Sequence, residues 1–337
     1  MLRFLLGGFK TLLMLALTVS ALLFLTFAIQ RNSPIDPVLR VVGDHASAEA
    51  YQAASVKLGL DQPLYAQFVH YMAKVAHGDL GSSTSTGRPV IEDLGQYFPA
   101  TVELATVAIV LGVVLGVPLG MWAAYRHNTR TDQLIRVIAL IGYSVPIFWL
   151  GLMGLLVFYA KLSWVAGPGR IDDVWKYSLQ LKTNFLLLDT LVENNPEAFL
   201  NVLSHLALPA LLLAYFSMAY IARMTRTFVL EEIGKEYVLF ARVKGASEFR
   251  VLWRHVLPNI AAPLVTVISL SYATLLEGAV LTESVFSWPG IGLYVTNALF
   301  TADLQAVLGG TLLIGVSFIV LNAVSDLFGY WLDPRAR

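Results

Sequence analysis

The sequence predicts an all-α membrane protein of six transmembrane helices, with both termini in the cytoplasm, and three observations lead there. The 337 residues are 57% hydrophobic and only 14% charged, with mean hydropathy +0.67, too apolar for a soluble globule. Six apolar stretches lie at roughly 11–29, 101–124, 134–160, 206–222, 260–282 and 304–331. Each approaches the ~20 residues that cross a bilayer as helix, and helix is required because unpaired backbone groups are costly in hydrocarbon. Lys and Arg then orient the chain. An N-terminus in the cytoplasm puts residues 1–10, 125–136, 223–258 and 332–337 inside, with 14 Lys and Arg in 64 residues. The opposite side, 30–97, 161–205 and 283–303, carries nine in 134, the asymmetry that the positive-inside rule demands.

A formal net charge of zero gives no sign of a nucleic-acid or acidic partner. With no cysteine there is no disulfide framework and no thiolate metal site.

Taken in order, residues 1–29 read as an N-terminal anchor span. Arg3 and Lys10 precede the apolar run as in a signal peptide, but the run is longer than an ordinary signal core and no small-x-small cleavage site follows before Gln30. Residues 30–97 form an outer loop with helical apolar spacing from 46 to 76, a small helical cap or an interfacial helix. His70 and His77, seven apart, are too few for a metal site and read as solvated.

Residues 98–337 form a five-span core. Glu103 lies near the outer boundary of the second span and is expected to be solvated. Pro146 falls inside the third span and should kink it. The outer insertion 161–205 contains GPGR at 167–170 and an apolar run, 185–191, too short to span.

Residues 223–258 hold seven of the 23 Lys and Arg and are built as a helical hairpin. Tyr237, Phe240, Ala241 and Lys244 recur at spacings of three and four, so one stripe packs while charges stay wet. Gly245 breaks that helix. Ser247 is placed to cap the next one, Glu248 suits its first turn, and Phe249, Leu252, Trp253 and Val256 form a second stripe. Pro258 is expected to separate this helix from the fifth span.

Glu277 sits toward the outer end of the fifth span, where a carboxylate needs a partner or water. In TESVFSWPGIG, 282–292, Trp288, Pro289, Gly290 and Gly292 interrupt helix and suggest a re-entrant turn lining a pathway, with an aromatic belt as the plainer reading of Trp288. In the last span Asn322, Asp326 and Tyr330 share a face, as a packing hydrogen-bond network would require.

The arrangement Glu236, Ala241, Gly245, Leu257, Pro258 resembles the EAA loop of bacterial ABC importer permeases. Tyr237 and Val238 after the glutamate, and His255 at an aliphatic position, resemble the peptide/nickel subfamily. So do LGLDQPLYAQFVHY at 58–71 with GDLGSS at 78–83, SVPIFWLG at 144–151, ESVFSWPGIG and the C-terminal NAVSDLFGYWLDPR. SPIDPV at 33–38 departs from the subfamily's GDPV-like turn. The insertion 161–205 is similar to that of dipeptide-type permeases.

This resemblance implies a non-catalytic permease subunit in the cell inner membrane. It implies a second homologous permease chain, usually in a heterodimer, two cytoplasmic ATPase subunits that bind the ATP and Mg, and an external solute-binding protein. It places ATPase coupling on Glu236, Tyr237, Phe240, Ala241, Gly245, Ala246, Phe249, Leu252, His255, Leu257 and Pro258. The translocation path falls to Glu277, Glu283, Phe286, Trp288 and Pro289. No GxxxxGK[ST] is present, since GGFKT at 7–11 lacks the glycine before lysine, so the chain is not expected to bind ATP. The implied cargo is a dipeptide or longer peptide, then glutathione or chelated nickel. Of other classes, a stand-alone ion-coupled carrier should show broken helices in symmetric halves, which are not evident. A membrane hydrolase should show HExxH or GxSxG, and neither occurs.

Overall fold

The computed structural model describes residues 17–28, 36–43, 45–57 and 59–332. These form helices and turns, with one isolated bridge between Ser82 and Pro89. They divide into two compact units, Met1–Phe98 with Gly290–Ile319, and Pro99–Pro289 with Val320–Arg337.

The first unit contains α1 (Leu17–Ala28), α2 (Pro37–Val42), α3 (Ala48–Lys57), α4 (Leu64–Ala76), the opening turns of α5 (Val90–Tyr125), α14 (Ile291–Phe300) and the first half of α15 (Leu304–Leu332). The apolar spacing expected over 46–76 acts chiefly in α4. Phe68, Tyr71 and Val75 of α4 pack with Leu23 and Phe27 of α1 and Leu308 of α15, whereas α3 buries nothing. The loop before α5 is tied down at Asp303, which accepts from Ser83 Oγ at 2.6 Å and from the Ser85 amide at 2.9 Å. At ten residues α14 is only about 15 Å long, too short to cross a bilayer.

The second unit holds the rest of α5 and α15 together with α6 (Arg130–Ser144), α7 (Ile147–Gly154), α8 (Asp173–Lys176), α9 (Leu186–Val192), α10 (Pro196–Ile233), α11 (Glu236–Val243), α12 (Glu248–Arg250) and α13 (Leu257–Val285). Wide π-helical turns extend α7 through Lys161 and join α12 to α13 over Val251–Val256. Close approach of α5 to α10 depends on glycine. A Cβ on Gly112 would stand 2.2 Å from Ser217 Oγ, and one on Gly120 would stand 2.4 Å from the Ala222 carbonyl.

Four helices are long and apolar enough to cross a membrane: Val90–Tyr125, Pro196–Ile233, Glu248–Leu276 and Leu304–Gly329. They correspond to the second, fourth, fifth and sixth predicted spans. The third differs from the single kinked helix expected. Arg130–Ser144 and Ile147–Lys161 meet at 96°. Val145 is extended (φ −90°, ψ 130°) because Pro146 disfavours helical geometry in the residue before it and offers no amide to continue the ladder. Of the first predicted span, only the twelve residues Leu17–Ala28 are described. The side chains of Asp326 and Tyr330, on which the proposed network in the last span depends, lie outside the described residues.

Candidate functional site

Two regions of the second unit concentrate chemistry, one at each end of α10. At its C-terminal end, α11, α12 and the following π turns form the predicted hairpin. Gly245 takes φ +80°, a left-handed conformation that glycine adopts without strain. Ser247 Oγ accepts from the Arg250 amide as the N-cap. The two arms are joined by Arg242, whose Nε and Nη2 donate to the Glu248 carboxylate at 2.9 and 3.1 Å. Tyr237 donates to Glu232 of α10 at 2.6 Å, and burial together with this carboxylate pushes the phenol well above its ordinary value. Lys235 pairs with the same glutamate.

Below this pinning, Val238, Ala241, Val251, Leu252 and Val256 are buried in the core of the unit. Above it, Leu239, Phe240, Val243 and Phe249 are 62%, 60%, 77% and 72% exposed. The buried stripe of α11 therefore runs through Val238 and Ala241, not Phe240, and Leu252 belongs to the base rather than the presented face. Phe240 sits under the Lys244 ammonium, 4.4 Å from the ring centroid, and Phe249 lies 5.9 Å from Trp253.

The other predicted hairpin residues occupy its ends. Glu236 opens α11, Ala246 and Leu257 pack partly buried on the core, and His255 is half-buried. Pro258 does not separate the hairpin from the fifth span, since helix is continuous over Glu248–Leu276. The π turns before it pair the carbonyls in a different register, so a residue without an amide is accommodated.

A second arginine–carboxylate pair stands near the hairpin. Arg226 of α10 donates to both oxygens of buried Asp132, at 2.7 and 2.9 Å. The sequence reading missed this pair. The available signal was Thr129, three residues before Asp132, which caps α6.

At the N-terminal end of α10, aromatic and charged groups are buried instead. Glu103 is 5% exposed and accepts from Arg170 at 2.6 Å and from the Leu187 amide at 2.7 Å. The expectation that it would be solvated fails because the outer insertion folds over it and Arg170 neutralises it. The Arg170 guanidinium also donates to the Asn184 carbonyl at 2.9 Å and lies 5.6 Å from the Trp288 ring centroid. Trp288 is fully buried and donates to the Ala100 carbonyl at 2.9 Å, so it is no interfacial belt residue. Glu283 accepts from Thr101 Oγ1 at 2.6 Å and, like Phe286, is buried. Among the predicted path residues, Glu283, Phe286 and Trp288 thus seal this end rather than line an opening. Pro289 borders a cavity of about 420 Å³ beside Ser287, Arg170, Asp172 and His205. The Glu277 side chain lies outside the described residues.

His205 fastens the insertion to α10. Its Nδ1 is 3.0 Å from the Gly167 carbonyl and its Nε2 is 3.1 Å from Asp172. The Asn201 amide at 2.6 Å, and secondarily His205, hold the Asp172 carboxyl below the usual carboxylate range. Among the described residues no three His, Asp or Glu side chains converge as a metal site would need.

Residues 116–337 match the model of the binding-protein-dependent transport system inner membrane component, and residues 1–105 match the N-terminal model of the same membrane components. A probable D,D-dipeptide transport system permease protein of Escherichia coli (strain K12) is 42% identical over 95% of this chain and 94% of its own. A di/tripeptide transport system permease protein of Pseudomonas aeruginosa (strain UCBPP-PA14) is 40% identical over 93% of each chain. A dipeptide transport system permease protein of Escherichia coli (strain K12) is 39% identical over 95% of each. An inward-facing structure of the MetNI methionine ABC transporter shares the fold at TM-score 0.53 and 15% identity, covering 69% of this chain and 93% of that one. With several helices long enough to span a membrane and a family model matched over most of its length, the chain is a multi-pass membrane protein that belongs to the inner membrane component family of binding-protein-dependent transport systems.

Proposed function

We propose that this chain is the permease subunit of an ATP-driven importer of di- and oligopeptides in the inner membrane. It pairs with a second homologous permease chain, receives cargo from an external solute-binding protein, and rests on two cytoplasmic ATPase subunits that bind the ATP and Mg. The peptide cargo is supported by relatives named for dipeptide and di/tripeptide transport at 39–42% identity over nearly the full chain.

One observation supports the coupling role: the hairpin presents an exposed apolar tip, Leu239, Phe240, Val243 and Phe249, on a base pinned to the core. The base is fixed by the Arg242–Glu248 fork, the Tyr237–Glu232 bond and buried Val238, Val251 and Val256. An exposed apolar helix face calls for a groove on a partner. Its continuity with α13 means that a push on the tip is delivered as rotation of a whole span, as ATP-driven closure of the ATPases brings paired hairpins together. The cavity then opens outward to the binding protein, and hydrolysis resets it.

The test is Gly245→Val in the assembled transporter reconstituted with its binding protein. The variant should insert and assemble, hydrolyse ATP, and lose peptide uptake. Wild-type uptake at normal expression would rule out the coupling role.

A further inference from the structure

Three of the residues expected to line the path, Glu283, Phe286 and Trp288, are buried, which leaves open what cargo touches. Three adjoining cavities in the second unit, of about 440, 370 and 160 Å³, all include the Tyr143 ring. Together they follow α10 from Leu213 to Thr227, about 21 Å at the helical rise. This trough between α6, α10 and α13 is walled by Phe216, which stacks on Tyr143 at 5.1 Å, and by Tyr220, 6.2 Å from it. Ser217, Ser271 and Thr274 add hydroxyls, each turned to a carbonyl of its own helix. Such walls offer area without strong acceptors or donors, which suits a passenger whose side chains vary.

One group breaks that neutrality. Arg223 lies just past the predicted fourth span, its guanidinium 5.2 Å from the Tyr143 centroid and 5.5 Å from that of Tyr220. The residue is exposed, and its guanidinium makes no ion pair or hydrogen bond among the described residues. The neighbouring cations differ, since Arg226 and, at 3.8 Å, Arg136 share Asp132. A planar fork of five donors braced on two aromatic faces and lacking an acceptor is shaped for a carboxylate.

We infer that the Tyr143 trough is the surface along which a short peptide crosses, and that Arg223 binds the peptide's C-terminal carboxylate near the hairpin end. The inference rests on the peptide-importer reading and deepens it by naming what this chain recognises. From Arg223 back to Leu213 the apolar walls run about 15 Å along α10, leaving room for the rest of the peptide.

The chain has no cysteine, so a thiol introduced into it is its only one and labelling can be read on this subunit within the complete transporter, with Val114 of α5, 60% exposed, as a control outside the trough. Phe216→Cys and Thr274→Cys should react with a charged, membrane-impermeant thiosulfonate at least about tenfold faster than Val114→Cys, because a charged reagent does not enter hydrocarbon. Saturating dipeptide should protect both. Arg223→Gln should raise the dipeptide concentration for half-protection about tenfold, as loss of a charge-assisted hydrogen-bond pair would, and Arg223→Lys by less. Should the trough thiols react no faster than the control while uptake is intact, the inference falls and the importer reading stands. Protection by anionic phospholipid vesicles in place of dipeptide assigns the trough to lipid and overturns it as well. If the wild-type transporter carries a different cargo and no dipeptide, the importer reading fails first.

Discussion

The two ends of α10 use similar residues in opposite ways. Around Trp288, aromatic rings and an arginine–glutamate pair are sealed inside the unit. At the hairpin, Phe240 and Phe249 are left exposed above a fork of Arg242 and Glu248 that is itself about one-third exposed. Burial, not composition, separates the closed region from the one that presents its rings to the surroundings. The same kinds of substitution should therefore threaten folding at one end and assembly at the other.

The largest effect is expected at the sealed end. Glu103→Gln leaves Arg170 with an uncompensated charge at 8% exposure, a loss of about 3–5 kcal/mol by analogy with buried pairs broken on one side. Reduced thermal stability in detergent, relieved in a Glu103→Gln/Arg170→Met double variant, is the expected result. A single variant as stable as the wild type would mean that the pair is not closed off from solvent. Trp288→Ala removes a fully buried ring and the bond to Ala100, for about 3–5 kcal/mol in the same measurement.

At the hairpin the costs shrink while the functional consequences grow. Gly245→Ala imposes a left-handed conformation on a residue with a Cβ, about 1–2 kcal/mol. The space beside Gly245 is empty, so strain rather than collision should account for whatever thermal shift is seen. Phe249→Ala, on an exposed ring, should change stability by less than about 0.5 kcal/mol, yet weaken retention of the ATPase subunits on co-purification.

The smallest effect concerns pH. Asp172 is held below its ordinary value of 3.8, first by Asn201, so its native contacts stabilise the fold above that value and fade as pH falls through the lower, native one. Its side chain is 59% exposed, so solvent screens most of the effect. Asn201→Ala should slightly flatten the loss of thermal stability below pH 3.8. An acid limb identical to the wild type would remove Asp172 as a clasp of the insertion.

How much of this was legible follows from what each residue depends on. Local signals were readable: Ser247 as a cap and Gly245 as a break depend on a few neighbouring residues. Four long apolar spans were readable because their signal extends over whole helices. Glu103 was misjudged because its partner is 67 residues away, in an insertion whose fold has no periodic signal. Trp288 was ambiguous because an aromatic residue near a span end suits both an interface and a core. Pro258 misled because a π turn, invisible in sequence, absorbs what proline lacks. The Tyr143 trough is composed of residues from five helices, α5, α6, α7, α10 and α13, none unusual alone.

The coupling role is tested most directly by a thiol at Phe249→Cys in the assembled transporter, followed by cross-linking from the otherwise cysteine-free chain. A cross-link to an ATPase subunit that strengthens or weakens with nucleotide is the predicted result. No cross-link in an actively transporting assembly, or labelling of that thiol from the external side of intact cells, would contradict it.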